Sequence, residues 1–197
     1  MLSPQFSLVR VTAPTASPIS LSAAKEQMRV ESSDDDAIIQ RLIDSAVAFV
    51  DVQGALGKAM ITQTWGEWLS PNPGTVYLTL GPVQSVSAIK YYDVDGALQT
   101  ATLADFNVFG TPNRINVSPK SGKAWPVTQT RDDAIKIEYI IGYGSTSASV
   151  PETVRHALMM LVAHWYDMRE TSTEKQMYDL PFGFVDMIGI ERNSWYG

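Results

Sequence analysis

The sequence contains no cysteine. That excludes a disulfide framework, thiolate zinc sites and a cysteine nucleophile. It has only two histidines, His156 and His164, too few for a His-rich metal centre. No apolar run approaches the ~18 residues that a bilayer-spanning helix requires. The opening MLSPQFSLVR has no basic segment followed by an apolar one, so it does not read as a secretion signal. Positive charge is also in short supply: the net charge of −6 excludes whole-surface attraction to nucleic acid, though not a local basic patch. Catalytic signatures are missing too: there is no Gly-x-Ser-x-Gly elbow, no phosphate loop and no dinucleotide fingerprint.

What is present favours a folded chain. With 45% hydrophobic and 18% charged residues in 197, there is enough apolar material for a sizeable core. Prolines 4, 14 and 18 among Ser, Thr and Ala predict an extended N-terminal arm over residues 1–19. Ser20 is placed to cap a helix over 21–28. After Glu31-Ser-Ser-Asp-Asp-Asp36, the residues Ile38, Leu42, Ala46 and Phe49 recur at helical spacing, widened by Ile39, Ile43 and Val50. Carboxylates at Asp34, Asp35 and Asp36 suit an N-cap and first turn, where they complement the positive end of the helix dipole. Gly54 and Gly57 mark the stop.

From residue 60 the period changes to two. Alternation predicts strands over 76–80, 83–92, 106–109, 115–117 and 135–141, with breaks at Gly81-Pro82 and Asp95-Gly96. Asp93-Val-Asp95-Gly96 lacks the later ligands of a calcium loop. Helical spacing returns after Val150-Pro-Glu-Thr, through Val154, Leu158, Leu161, Val162 and Trp165. A turn at Leu180-Pro-Phe-Gly183 precedes a short terminal helix over 185–190. The fold class expected is therefore α+β: a small helical bundle (20–59 plus 146–192) with an inserted antiparallel β domain (60–145) and a C-terminal tail (193–197). The helices on either side of the strands carry apolar faces too wide to leave exposed, so they are expected to pack together.

Candidate sites are few. His156 and His164 stand eight residues apart on one predicted helix, about 80° apart in projection, which is wrong for a shared metal. A hydrolase built on either with Asp167 has no supporting motif, so no enzyme, cofactor or metal is expected. Residues 106–130 carry Arg114, Lys120 and Lys123 and no acid. With Trp125 beside them they are candidates for polyanion contact, and they support an alternative reading as a module that binds a polyanion, peptide or glycan.

Several segments together resemble a known family. Ser20-Leu-Ser-Ala-Ala-Lys-Glu-Gln-Met-Arg-Val30 leads into Asp34-Asp-Asp-Ala-Ile-Ile-Gln-Arg-Leu-Ile43. Ile61-Thr-Gln-Thr-Trp65, Gly122-Lys-Ala-Trp-Pro126 and Tyr139-Ile-Ile-Gly-Tyr-Gly144 follow. Val150-Pro-Glu-Thr-Val-Arg-His-Ala-Leu158, Val162-Ala-His-Trp-Tyr166, Arg169-Glu170 and Leu180-Pro-Phe-Gly183 complete the series. In this order and spacing they resemble the head–tail connector (adaptor) proteins of long-tailed bacteriophages and gene transfer agents. The resemblance implies a structural virion protein, made in the bacterial host cytoplasm and placed at the head–tail junction, without membrane association. It implies a homo-oligomeric ring, typically twelve-fold, beneath the portal protein. The ring would extend the DNA channel and meet the next connector or tail-completion protein, without sequence-specific DNA contact. On that reading Phe182, Phe184, Trp195 and Tyr196 are expected to dock the portal, and Asp34, Asp35 and Asp36 are candidates for an acidic channel lining.

Overall fold

The computed structural model describes residues 7–168 and 182–193. It divides into two compact units, one built on residues 1–14 and 62–142, the other on residues 15–61 and 143–197.

The first unit is a pair of antiparallel sheets. Strands β1 (Ser7–Thr12), β2 (Gln63–Leu69), β4 (Val83–Tyr92), β5 (Leu98–Thr100) and β8 (Ile135–Ile141) form a sheet in the order β1-β2-β8-β4-β5. Strands β3 (Val76–Tyr77), β6 (Phe106–Thr111) and β7 (Arg114–Pro119) form a second sheet in the order β3-β7-β6. Alternation along β8 sets the core: Ile135, Ile137, Tyr139 and Ile141 are fully buried. Their cross-strand partners on β2 are Leu69, Glu67, Trp65 and Gln63, so these share the same inner face. On the other face Lys136 crosses Gly66 of β2, where any Cβ would collide with its aliphatic stem. The stem lies against the ring of Trp68, 5.4 Å from ammonium to centroid.

Two expectations need correction here. The N-terminal segment is not wholly a free arm, because Ser7–Thr12 pairs with β2 from Trp68 to Thr64. Leu8, Val9 and Val11 give it β-prone content, and the prolines fall outside the strand. The strand expected over 76–80 ends at Tyr77. Beyond it, the N–H of Thr79 donates to the Glu67 carboxylate (3.2 Å) and that of Leu80 to the Tyr139 hydroxyl (3.4 Å). Leu78 still donates to the Ile115 carbonyl of β7, and the Leu80 donor that a longer ladder would use next goes to a side chain of the first sheet.

The second unit is helical: α1 (Leu21–Met28), α2 (Asp36–Val50), α3 (Glu152–Met168) and α4 (Phe182–Asn193). Ser20 caps α1 as its position predicts, its hydroxyl accepting from the N–H of Ala23 at 3.1 Å. Ile39, Ile43, Ala46 and Val50 of α2 pack with Val154, Ala157, Leu158, Leu161 and Val162 of α3 in one core. The buried stripe of α2 is turned by one residue from the leading expected one, and Phe49 is left 42% exposed. The chain reverses sharply after α2: a Cβ at Gly54 would meet the Phe49 carbonyl, and Ala55 and Leu56 donate back to Phe49 and Val50.

Candidate functional site

The acidic run at the start of α2 is a junction between three helices. Asp36 accepts from Lys25 of α1 at 2.6 Å, and Asp35 accepts from the Tyr166 hydroxyl of α3 at 2.6 Å. Asp34 accepts from Ser32 at 2.6 Å and is the exposed member of the three. Asp35 stands at the N-cap position but makes no side-chain cap bond. Its carboxylate reaches α3 instead. Nothing local in the sequence marks Lys25 or Tyr166 as partners, because one lies across a turn and the other 131 residues away.

α4 presents its inner face through Phe184 and Ile188, 1% and 4% exposed, four residues apart and therefore one helical turn. Phe184 lies 6.3 Å from the ring of Phe49, which in turn meets Trp165 edge-on at 6.1 Å. The expected docking role of Phe184 thus gives way to a core position: its ring fills space between α2 and α4 rather than facing outward. The Phe182 side chain, Trp195 and Tyr196 lie outside the described residues. Among the described side chains of α4, Val185 and Ile190 are the exposed apolar ones, at 55% and 66%.

The far end of α4 is fastened by polar contacts. The buried ammonium of Lys58 donates to the Glu191 carbonyl at 2.5 Å, and Thr153 of α3 donates to the Glu191 carboxylate at 2.8 Å. Burial pushes the Lys58 pKa down, with the Glu191 charge opposing that shift. The Tyr143 hydroxyl is pushed up to about 12, by burial first and by the Glu191 charge second.

In the β unit, the three cations of residues 106–130 do not form one patch. Arg114 and Lys120 bracket β7, roughly 20 Å of extended chain. Arg114 lies over the Tyr77 ring at 5.5 Å, and Lys123 pairs with Asp105 at 3.0 Å. Trp125 is 6% exposed, donates to the Gly74 carbonyl at 2.7 Å and packs on Phe106 at 4.9 Å. It is a core residue, not an exposed stacking platform for bases.

Three carboxylates of this unit are also engaged. Asp93 accepts from the backbone N–H groups of Asp95 and Ala97 and from Gln99, which closes the β4–β5 turn and holds its carboxyl below the ordinary range, Gln99 contributing most. Glu67, fully buried, accepts from Thr79 Oγ1 (2.8 Å), the Thr79 N–H and the Tyr139 hydroxyl (3.0 Å). Burial raises the Tyr139 pKa, and the Glu67 charge adds to it. Glu138 accepts from Lys90 and Lys136, each at 2.9 Å. Burial acts to raise its pKa, and the hydrogen bonds and charges of both lysines outweigh it and leave the pKa lowered. The alternation Gln63, Trp65, Glu67, Leu69 carried a signal for Glu67, since two of its mates are large and apolar. Among the described residues no group of three or more His, Asp or Glu is placed to hold a metal, and no helix is long and apolar enough to cross a membrane.

The model of the head completion protein family (HCP) matches residues 18–177. This chain belongs to the head completion protein family. That span reaches into both units and covers nearly every segment on which the sequence resemblance rested. Solved structures share the fold of this head completion protein along most of its length. A chain from the "Neck of empty GTA particle computed with C6 symmetry" superposes with a TM-score of 0.75 at 20% identity, covering 94% of this chain and 95% of that one. A chain from the "Virion of native gene transfer agent (GTA) particle" gives 0.71 at 19% identity, with 94% of each covered. One from the "Neck of native GTA particle computed with C12 symmetry" gives 0.63 at 18% identity, again with 94% of each covered. No curated protein sequence matches this head completion protein.

Proposed function

We propose that this head completion protein is a structural connector of a phage or gene-transfer-agent particle. Copies of it form a ring at the neck, between the portal and the tail, and extend the DNA channel. The observation that carries this reading is the family match over residues 18–177. Fold similarity to neck chains over 94% of the length agrees with it. A ring of twelve follows the symmetry named for one of those necks.

The chemistry of the helical unit suits such a role. Phe49, Val185 and Ile190 remain exposed after the unit has built its own core. They supply apolar area for heterologous contacts between copies, which close into a ring when the rotation per copy divides a full turn. Phe182, Trp195 and Tyr196 are assigned to the portal contact. The net charge of −6 lets DNA pass without the cation–phosphate contacts that would hold it.

Deleting the gene in a particle-producing strain tests the reading. The expected result is filled heads and separate tails in the same lysate, rejoined when the full chain is supplied in trans. Normally tailed particles lacking the chain would refute it.

A further inference from the structure

The two sheets have four edges, and three of them are blunted. β1 carries a register shift between Arg10 and Thr12, which bends the strand, and an arginine in its centre. β3 is two residues long and β5 three. The fourth edge, β6, runs six residues, Phe-Asn-Val-Phe-Gly-Thr, without charge, proline or register shift. Native sheets rarely leave such an edge open unless something pairs with it.

The ladder fixes which backbone groups are free. Lys120 donates to the Asp105 carbonyl, and the antiparallel alternation then assigns Asn107, Phe109 and Thr111 to bonds with β7. The N–H and C=O of Val108 and Gly110 therefore point to the open side. No hydrogen bond from another described residue reaches them. Both sides of the edge are apolar: Val108 is 46% exposed on the face it shares with Val117, and Phe109 is 52% exposed on the opposite face, beside Asn116.

We infer that β6 is a docking strand, to which an extended, uncharged segment of a different protein adds by backbone pairing. Outward N–H and C=O groups at alternate residues select an extended backbone. Val108 on one face and Phe109 on the other select apolar residues on both faces of the incoming strand, because cross-strand pairs of β-branched and aromatic side chains pack best. A second copy is the poorer occupant. Its other edges are blunted, and β6 on β6 would be an isologous, twofold contact, which a cyclic ring does not use. This last step rests on the ring proposed above.

Hydrogen exchange of the unmodified chain tests the inference, comparing purified protein with particles that contain it. Segment 106–111 is expected to exchange at least about tenfold more slowly in particles. In parallel, p-benzoylphenylalanine placed at Phe109 should cross-link in particles to one contiguous segment of a different protein. Val108→Pro, which removes an outward N–H at a position where an edge tolerates proline, should lower that yield at least about tenfold, and Val108→Thr should retain it. Equal exchange in both states overturns the inference, as do cross-links confined to other copies of this chain, or a yield indifferent to Val108→Pro. If Val108→Pro fails to fold, the exchange comparison alone decides. Mass spectrometry of the particles scores the ring reading separately: a chain absent from them refutes that reading, whereas a chain present but unprotected refutes only the docking strand.

Discussion

Replacing Phe184 by alanine separates two roles for the C-terminal helix. Phe184 is 1% exposed and stacks at a tilt on Phe49, 6.3 Å between centroids. Truncating a buried phenylalanine typically costs about 3–5 kcal/mol, the transfer term and the cavity term together. Phe49 is itself part-exposed on the other side, so the site can partly collapse. The lower end, about 3 kcal/mol, is therefore the expectation. Amide exchange read separately on α2, α3 and β8 is the suitable assay, because two units need not unfold together and one global midpoint would mix them. A loss of about 3 kcal/mol lowers protection roughly 150-fold. That drop is expected in α2 and α3, with β8 unchanged. Val185→Ala is the control one residue away. At 55% exposure it should move stability by no more than about 0.5 kcal/mol and yet weaken ring formation in negative stain. Unchanged protection in Phe184→Ala, combined with lost ring or portal assembly, would show that this ring faces outward and would refute the core assignment.

Three further outcomes follow from the polar groups. Glu67→Ala orphans the Thr79 hydroxyl and N–H and the Tyr139 hydroxyl inside the sheet, so urea unfolding should show a loss of about 3 kcal/mol or more; Glu67→Gln keeps an acceptor and should lose only about 1 kcal/mol. Glu138 has its folded pKa lowered, so its contribution is present above its ordinary value of 4.5 and is lost as pH falls below it. Glu138→Gln should flatten that acid limb of a stability–pH curve, and an unaltered limb would rule the assignment out. Tyr143 has its folded pKa raised to about 12, so its contribution is full below pH 10.0 and is lost as pH rises through 12; thermal melts of Tyr143→Phe should show a shallower alkaline fall than the parent.

Much of the architecture was legible because it is written in local periods. β8 reads directly from Ile135, Ile137, Tyr139 and Ile141, and α3 from Val154, Leu158, Leu161 and Val162. The features that escaped are those decided by groups far apart in sequence. β3 goes no further because, after Leu78 donates to Ile115, the donors of Thr79 and Leu80 are claimed by Glu67 and Tyr139. Residues 7–12 join a sheet because β2 offers an edge more than fifty positions away. Phe184 and Trp125 look like exposed aromatics near charge or turns, yet each has a distant neighbour that covers it, Phe49 for one and Phe106 with the Gly74 carbonyl for the other. Asp35 and Asp36 read correctly as the start of a helix, while their partners Lys25 and Tyr166 left no periodic trace. Family membership was legible for a different reason: it rests on many short segments in a fixed order, and long-range contacts do not blur that signal.

The polar clasps of the helical unit make sense in terms of ring closure. In a twelve-fold ring each copy must turn from the last by about 30°, and an error of about 2° per contact would accumulate to about 24° around the circle. Apolar packing alone tolerates small rotations of one helix on another, since many arrangements bury similar area. Directional hydrogen bonds between helices do not, because sliding one helix breaks the donor–acceptor geometry. Asp35 with Tyr166 and Asp36 with Lys25 fix α2 against α3 and α1, and Lys58 and Thr153 at Glu191 fix the end of α4. Each of these clasps replaces a continuum of helix settings by one. For a protein whose proposed work is to repeat a single angle around a ring, that selectivity accounts for polar side chains at these helix contacts.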